Sequence, residues 1–174
     1  MSDTWLKVCE KIDGAIQAGC RWVIYASTTM LFFCLVINVC LRYLAGTSWQ
    51  AAGEAPEYLF PWLVMSGVVL AAQKGAHISI VWIVEKLRPS VRLKVTMIHA
   101  CMLIVGYSIL VYAAAEMLPL VHIERSHILG VPKSVTFLCA TLGFLFLTVS
   151  EVVRLIKMFI TKTISGQMTF DENK

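Results

Sequence analysis

Two carboxylates stand three residues apart in GEAPEYLFPW, residues 53–62, at the head of an apolar run. At that spacing Glu54 and Glu57 share one face of a helix, where a pair of carboxylates could carry a proton or hold a coupling cation. The same two residues also suit the polar edge of a membrane helix, with no chemistry at all. Four histidines, His77, His99, His122 and His127, raise the question of haem. Bis-histidine haem needs two imidazoles at matching depth on facing helices. Only His99 falls within an apolar block, so a haem- or quinone-associated redox anchor is the weaker reading, and His99 reads as a hydrogen-bonded packing residue. Of the six cysteines, Cys34, Cys40, Cys101 and Cys139 lie in apolar runs, and no C-x-x-C is present. They read as small buried hydrophobes, not as a disulfide or zinc set. The patterns G-x-x-x-x-G-K-[ST], G-x-S-x-G and H-E-x-x-H are all missing. The chain therefore reads as no enzyme, with no cofactor and no metal site.

The elements that must carry these residues are read from block length. The chain has 174 residues, of which 58% are hydrophobic. Trp22–Leu41 and Ser134–Ser150 hold no charge, Val95–Ala115 is interrupted only by His99, and Tyr58–Gln73 is a shorter block of the same kind. About 20 apolar residues cross a hydrocarbon core. The expected fold is an all-α membrane protein of one domain with four transmembrane helices, at about 19–44, 56–74, 90–118 and 132–163. Pro56 would sit in the first turn of helix 2, Pro61 would bend it, Pro119 would end helix 3 and Pro132 would open helix 4. On that register Glu54 falls near the N-cap of helix 2 and Glu57 in its first turn, both facing the positive end of the helix dipole.

Two further stretches read as short amphipathic interfacial helices. In residues 1–19, Trp5, Val8, Ile12 and Ile16 recur at helical spacing. In residues 76–88, Ala76, Ile80, Ile83, Val84 and Leu87 line one face, and Pro89 stops the run. The charged start is too long for a secretory signal, so the first span is expected to stay uncleaved.

Charge sets the expected topology. Twelve of the 15 Lys and Arg residues fall in the N-terminal tail, the connection between helices 2 and 3, and the C-terminal tail. Positive residues favour the cytoplasm, so both termini are expected there. The net charge of +4 follows from this bias and implies no nucleic-acid partner. The middles of the spans are nearly uncharged, and Asn38, the main polar residue of helix 1, lies toward its outer end. A stand-alone exporter would show repeated halves and midplane charges. This chain reads instead as the membrane partner of something larger. Arg42 converges with Glu54 and Glu57 on the outer side, where an ion pair would fix the turn between helices 1 and 2.

The string NVCLRYLAGTSW, then Glu54, then PWLVMSGVVLAAQKGAHISI resembles the small membrane subunit, the DctQ-like component, of tripartite ATP-independent periplasmic (TRAP) transporters. The matching positions are Arg42, Tyr43, Trp49, Glu54, Trp62, Gly67, His77 and Ile78. Gln73-Lys74 replaces a more arginine-rich end, and Pro56 and Pro61 are departures. The resemblance implies a non-catalytic subunit in a bacterial inner membrane. Its partners would be a large elevator-type membrane subunit, a periplasmic substrate-binding protein and membrane lipids. The cargo would be an organic acid such as sialic acid or a C4-dicarboxylate, imported with sodium. It further implies that the matched residues serve structure and interface, that Glu54 is the partner of Arg42, and that an outer loop bearing Glu124 and Arg125 helps dock the binding protein.

Overall fold

The computed structural model describes the backbone of residues 2–74 and 89–171, with side chains described from 7–74 and, between 91 and 160, all but 92 and 93. His77, Ile78 and the expected amphipathic segment 76–88 lie outside the described residues. Among the described residues four helices follow one another: α1 (Ser2–Leu44), α2 (Gln50–Gln73), α3 (Pro89–His122) and α4 (Ser134–Asp171). All four are long and apolar enough to cross a membrane. At about 1.5 Å per residue, α1 is about 65 Å long, roughly twice a hydrocarbon core of about 30 Å.

Several expected boundaries move. The separate interfacial helix over 1–19 is absent as an element, because α1 runs unbroken from Ser2. Its first half is held by side chains: Cys9 and Cys20 are buried, and Asp13 meets Lys157 of α4 at 2.6 Å. Helix α2 starts at Gln50, six residues before Pro56, and runs through both prolines. Each proline frees one carbonyl four residues back, which a helix among other helices tolerates. Trp49 stands at the N-cap without a side-chain cap, and its N–H donates to Asn38 Oδ1 of α1 at 3.1 Å. Glu54 is consequently in the second turn of α2 and is not an N-cap. Pro119 lies inside α3, which continues to His122. Pro132 precedes α4, whose helix begins at Ser134.

The packing is open. Among the described residues, helices α1, α2 and α4 touch one another, whereas α3 packs on α4 alone. Val69 and Leu147 are fully buried and, with Cys20, form the core where α1, α2 and α4 meet, flanked by Ile16, Phe144 and Phe146. Gly143 lets α4 approach α2, since a methyl group there would overlap the Met65 side chain. By contrast, only 6% of the apolar stretch of α1, and 6% of that of α3, is buried within the chain. Cys40 and Cys101 are exposed, against the expectation of burial, while Cys139 is buried. Gly46 and Gly130 take left-handed backbone, at φ 62° and 65°. Each sits in a connection at the same end of the bundle, hereafter the loop end, and each makes a tight reversal that a side chain would strain.

Candidate functional site

At the loop end the α3–α4 connection folds down on the first turns of α2. The connection is short and nearly helix-free, yet its own backbone closes it: Arg125 and Pro132 form an isolated bridge. Lys133 N–H donates to Glu124 O at 3.0 Å, and Ser126 N–H to Val131 O at 3.0 Å. The Ser126 hydroxyl then caps the loop tip, accepting from Leu129 N–H at 2.9 Å and Ile128 N–H at 3.3 Å. Serine suits this place because its hydroxyl can accept from nearby amides while donating elsewhere.

That donation goes to Glu54. The Ser126 hydroxyl donates to Glu54 Oε2, and the Leu129 N–H reaches the same oxygen at 3.3 Å. One turn on, buried Tyr58 donates its hydroxyl to Val131 O at 3.0 Å. Lys133 completes the attachment, with its ammonium 2.5 Å from Glu124 Oε1 and 3.8 Å from Glu57 Oε1. The hydrogen bond to Glu124, and then the charges of Glu124 and Glu57, raise the Lys133 pKa above its ordinary value. His122 Nδ1 lies 3.1 Å from Ser134 Oγ, joining the ends of α3 and α4. The whole is a hydrogen-bonded platform on which α2 fixes the loop.

The two carboxylates of the opening motif therefore do share a task, but with neutral donors and a lysine. The expected ion pair between Arg42 and Glu54 is not formed among the described residues, and Arg42 is exposed. Tyr43 is 82% exposed beside it. Trp49 is half-exposed at the start of α2. Trp62 lines an apolar cavity of about 470 Å³ with Ile16, Cys20, Val69, Cys139 and Phe146. A side chain at Gly67 would meet open space. Glu124 is held by Lys133, whereas Arg125 is exposed. Among the described residues no three His, Cys, Asp or Glu side chains gather to hold a metal ion.

Sequence reasoning missed Tyr58, Ser126 and Lys133, the three residues that attach the loop. It also missed a polar cluster at the opposite end of the bundle. There Gln73 Nε2 donates to Ser150 Oγ at 2.8 Å, Lys157 meets Asp13, and buried Glu151 lies 3.7 Å from Arg154. The one signal for that cluster was the lone Glu151 interrupting an apolar run.

Comparison with known proteins decides what this bundle is. The family "Tripartite ATP-independent periplasmic transporters, DctQ component" matches residues 31–161. The chain belongs to that family. It is thus a small permease component of a TRAP transporter and a multi-pass protein of the bacterial inner membrane. It is 24% identical over 145 residues to a Haemophilus influenzae protein assigned the name TRAP transporter small permease protein, covering 83% of this chain and 88% of that one. A second Haemophilus influenzae protein assigned the same name is 19% identical over 139 residues, covering 80% and 82% of the two chains. The uncharacterized protein y4mM of Sinorhizobium fredii is 32% identical over 162 residues, or 88% of this chain. The small permease spans only 30% of that relative's length.

Proposed function

We propose that this small permease is a static scaffold for the large membrane subunit of a sodium-driven TRAP transporter that imports an organic acid, either sialic acid or a C4-dicarboxylate. In this reading it carries no substrate itself. The observation that carries the reading is the open bundle: among the described residues α3 packs on α4 alone, and most of the apolar length of α1 and α3 is left uncovered. Helices arranged this way offer long apolar faces to a larger partner and to lipid. The match to a stretch of a much longer relative also supports a chain that works joined to further protein. Arg42 and Tyr43, exposed at the loop end, are the side chains we assign to that partner, together with Trp49, Trp62, Gly67 and His77.

The termini face the cytoplasm in this reading, following the positive residues, so the loop end is periplasmic. The loop of residues 124–133 then helps to dock the substrate-binding protein. The test is reconstitution of the chain alone, and with the large subunit, in proteoliposomes supplied with the binding protein and a sodium gradient. Uptake of labelled sialic acid or C4-dicarboxylate should need both membrane subunits. Sodium-dependent uptake by this chain alone would contradict the scaffold assignment.

A further inference from the structure

The platform at the loop end assigns a task to Glu54 that its position in the sequence does not suggest. We propose that Glu54 is a positioning residue for docking: it holds loop 124–133 in the one shape that receives the periplasmic binding protein. The proposal rests on the docking reading of that loop given above.

A connection of this kind, exposed along most of its length, has many backbone shapes open to it and only a few internal hydrogen bonds to select one. Glu54 supplies the missing constraint from outside. It stands in the second turn of α2, a helix fixed on one side by the Asn38–Trp49 bond and deeper down by buried Val69. Its carboxylate accepts from Ser126 and Leu129, residues 72 and 75 positions away in sequence. Bonds to a charged acceptor are stronger than neutral ones.

The direction of the Ser126 hydroxyl makes this more than an attachment point. A hydroxyl has one proton. By drawing it, Glu54 turns the oxygen's lone pairs toward the amides of Ile128 and Leu129, and so sets the turn at the loop tip. What the turn presents follows. Glu124 is neutralised by Lys133 at 2.5 Å. Arg125 and His127 are exposed, and Ile128 is 47% exposed beside them. The loop tip thus presents the Arg125 guanidinium with the Ile128 side chain nearby, and a guanidinium suits a carboxylate on the binding protein.

The experiment uses the complete membrane complex in nanodiscs, titrated with its binding protein, with Kd, complex yield and thermal midpoint all read. Glu54→Ala and Ser126→Ala should each raise Kd about 5- to 10-fold, the scale of one ordinary intramolecular hydrogen bond. Yield should stay at the parent level. The double variant should be no worse than the worse single one, because both remove the same link. Ser126→Thr, which keeps the hydroxyl, should bind as the parent does. Hydrogen exchange in 126–131 should quicken in the two alanine variants and not in the threonine one. Unchanged Kd in both alanine variants, or a loss confined to yield, overturns the proposal. Arg125→Glu separates the two levels: if it weakens binding while Glu54→Ala does not, the positioning role alone fails. If neither weakens binding, the loop is not a docking surface and the reading beneath the proposal fails with it.

Discussion

Tyr58 gives a sharp test of how the loop is held, because its ring and its hydroxyl do separable things. Tyr58 is 8% exposed, so the ring is packed, and its hydroxyl donates to Val131 O at 3.0 Å. Tyr58→Phe removes only the donor. The Val131 carbonyl keeps a second partner in Ser126 N–H at 3.0 Å, so no buried acceptor is stranded. The cost should fall at the low end for a hydrogen bond, about 0.5–1 kcal/mol. Tyr58→Ala also removes the ring and leaves a cavity, at about 3–5 kcal/mol. For a chain of this length each kcal/mol moves the thermal midpoint by about 2–4 °C. Fluorescence-monitored unfolding of the purified complex in detergent should therefore show a drop of about 1–4 °C for the phenylalanine variant and about 6–20 °C for the alanine one. A phenylalanine variant as unstable as the alanine one would refute the reasoning, since it would place the whole contribution in the hydroxyl.

Three other outcomes follow from the same contacts. The Lys133 pKa is raised above 10.5, so its clamp on Glu124 contributes fully below the ordinary lysine range and is lost as pH rises through the elevated value. The midpoint difference between parent and Lys133→Met should accordingly be constant from about pH 6 to about pH 9 and vanish in stronger alkali, and it should shrink with salt; a difference growing with pH would reverse the assignment. Gly143→Val should push α4 off Met65 and lower stability by about 1–3 kcal/mol, and Met65→Ala should restore much of it; no restoration would mean the overlap lies elsewhere. Asp13 and Lys157 are 2.6 Å apart and only partly exposed. Asp13→Asn and Lys157→Met should therefore each destabilise the chain, and the double variant should lose less than the sum because both remove the same link; additive losses in unfolding assays would count against that pairing.

The four spans were legible because apolar block length is a direct consequence of membrane thickness. Trp22–Leu41 and Ser134–Ser150 have no other use in a chain this short. Boundaries were less legible wherever proline was the guide. Pro56 suits a first turn, yet α2 begins at Gln50 because Asn38 of α1 takes the Trp49 amide. That is a contact between elements, and local rules do not contain it. Glu54 was singled out by type and neighbourhood, with Arg42 as its expected partner. Opposite charge suggested Arg42. The partners are instead a hydroxyl and a backbone amide on a distant loop, and such neutral donors leave no trace in a sequence. The platform's lysine was equally hidden, since Lys133 reads as an ordinary loop charge until Glu57 and Glu124 are brought around it.

The order of packing has a consequence for how the protein is made. Helix α2 completes its core only against α4, and Gln73 finds Ser150 across 77 residues of chain. At a synthesis rate of about 5–20 residues per second, Gln73 precedes Ser150 by about 4–15 s. Through that interval Val69 and the Gln73 carboxamide have no α4 beside them. The first two helices must therefore enter the bilayer as a self-sufficient hairpin, held by their mutual contact and by the Asn38–Trp49 bond. Helix α3 waits in its turn for α4, its one helical partner among the described residues. Helix α4 is thus the keystone of biogenesis, and a nascent chain stalled before Ser134 would hold α1, α2 and α3 without the Leu147 side of the core.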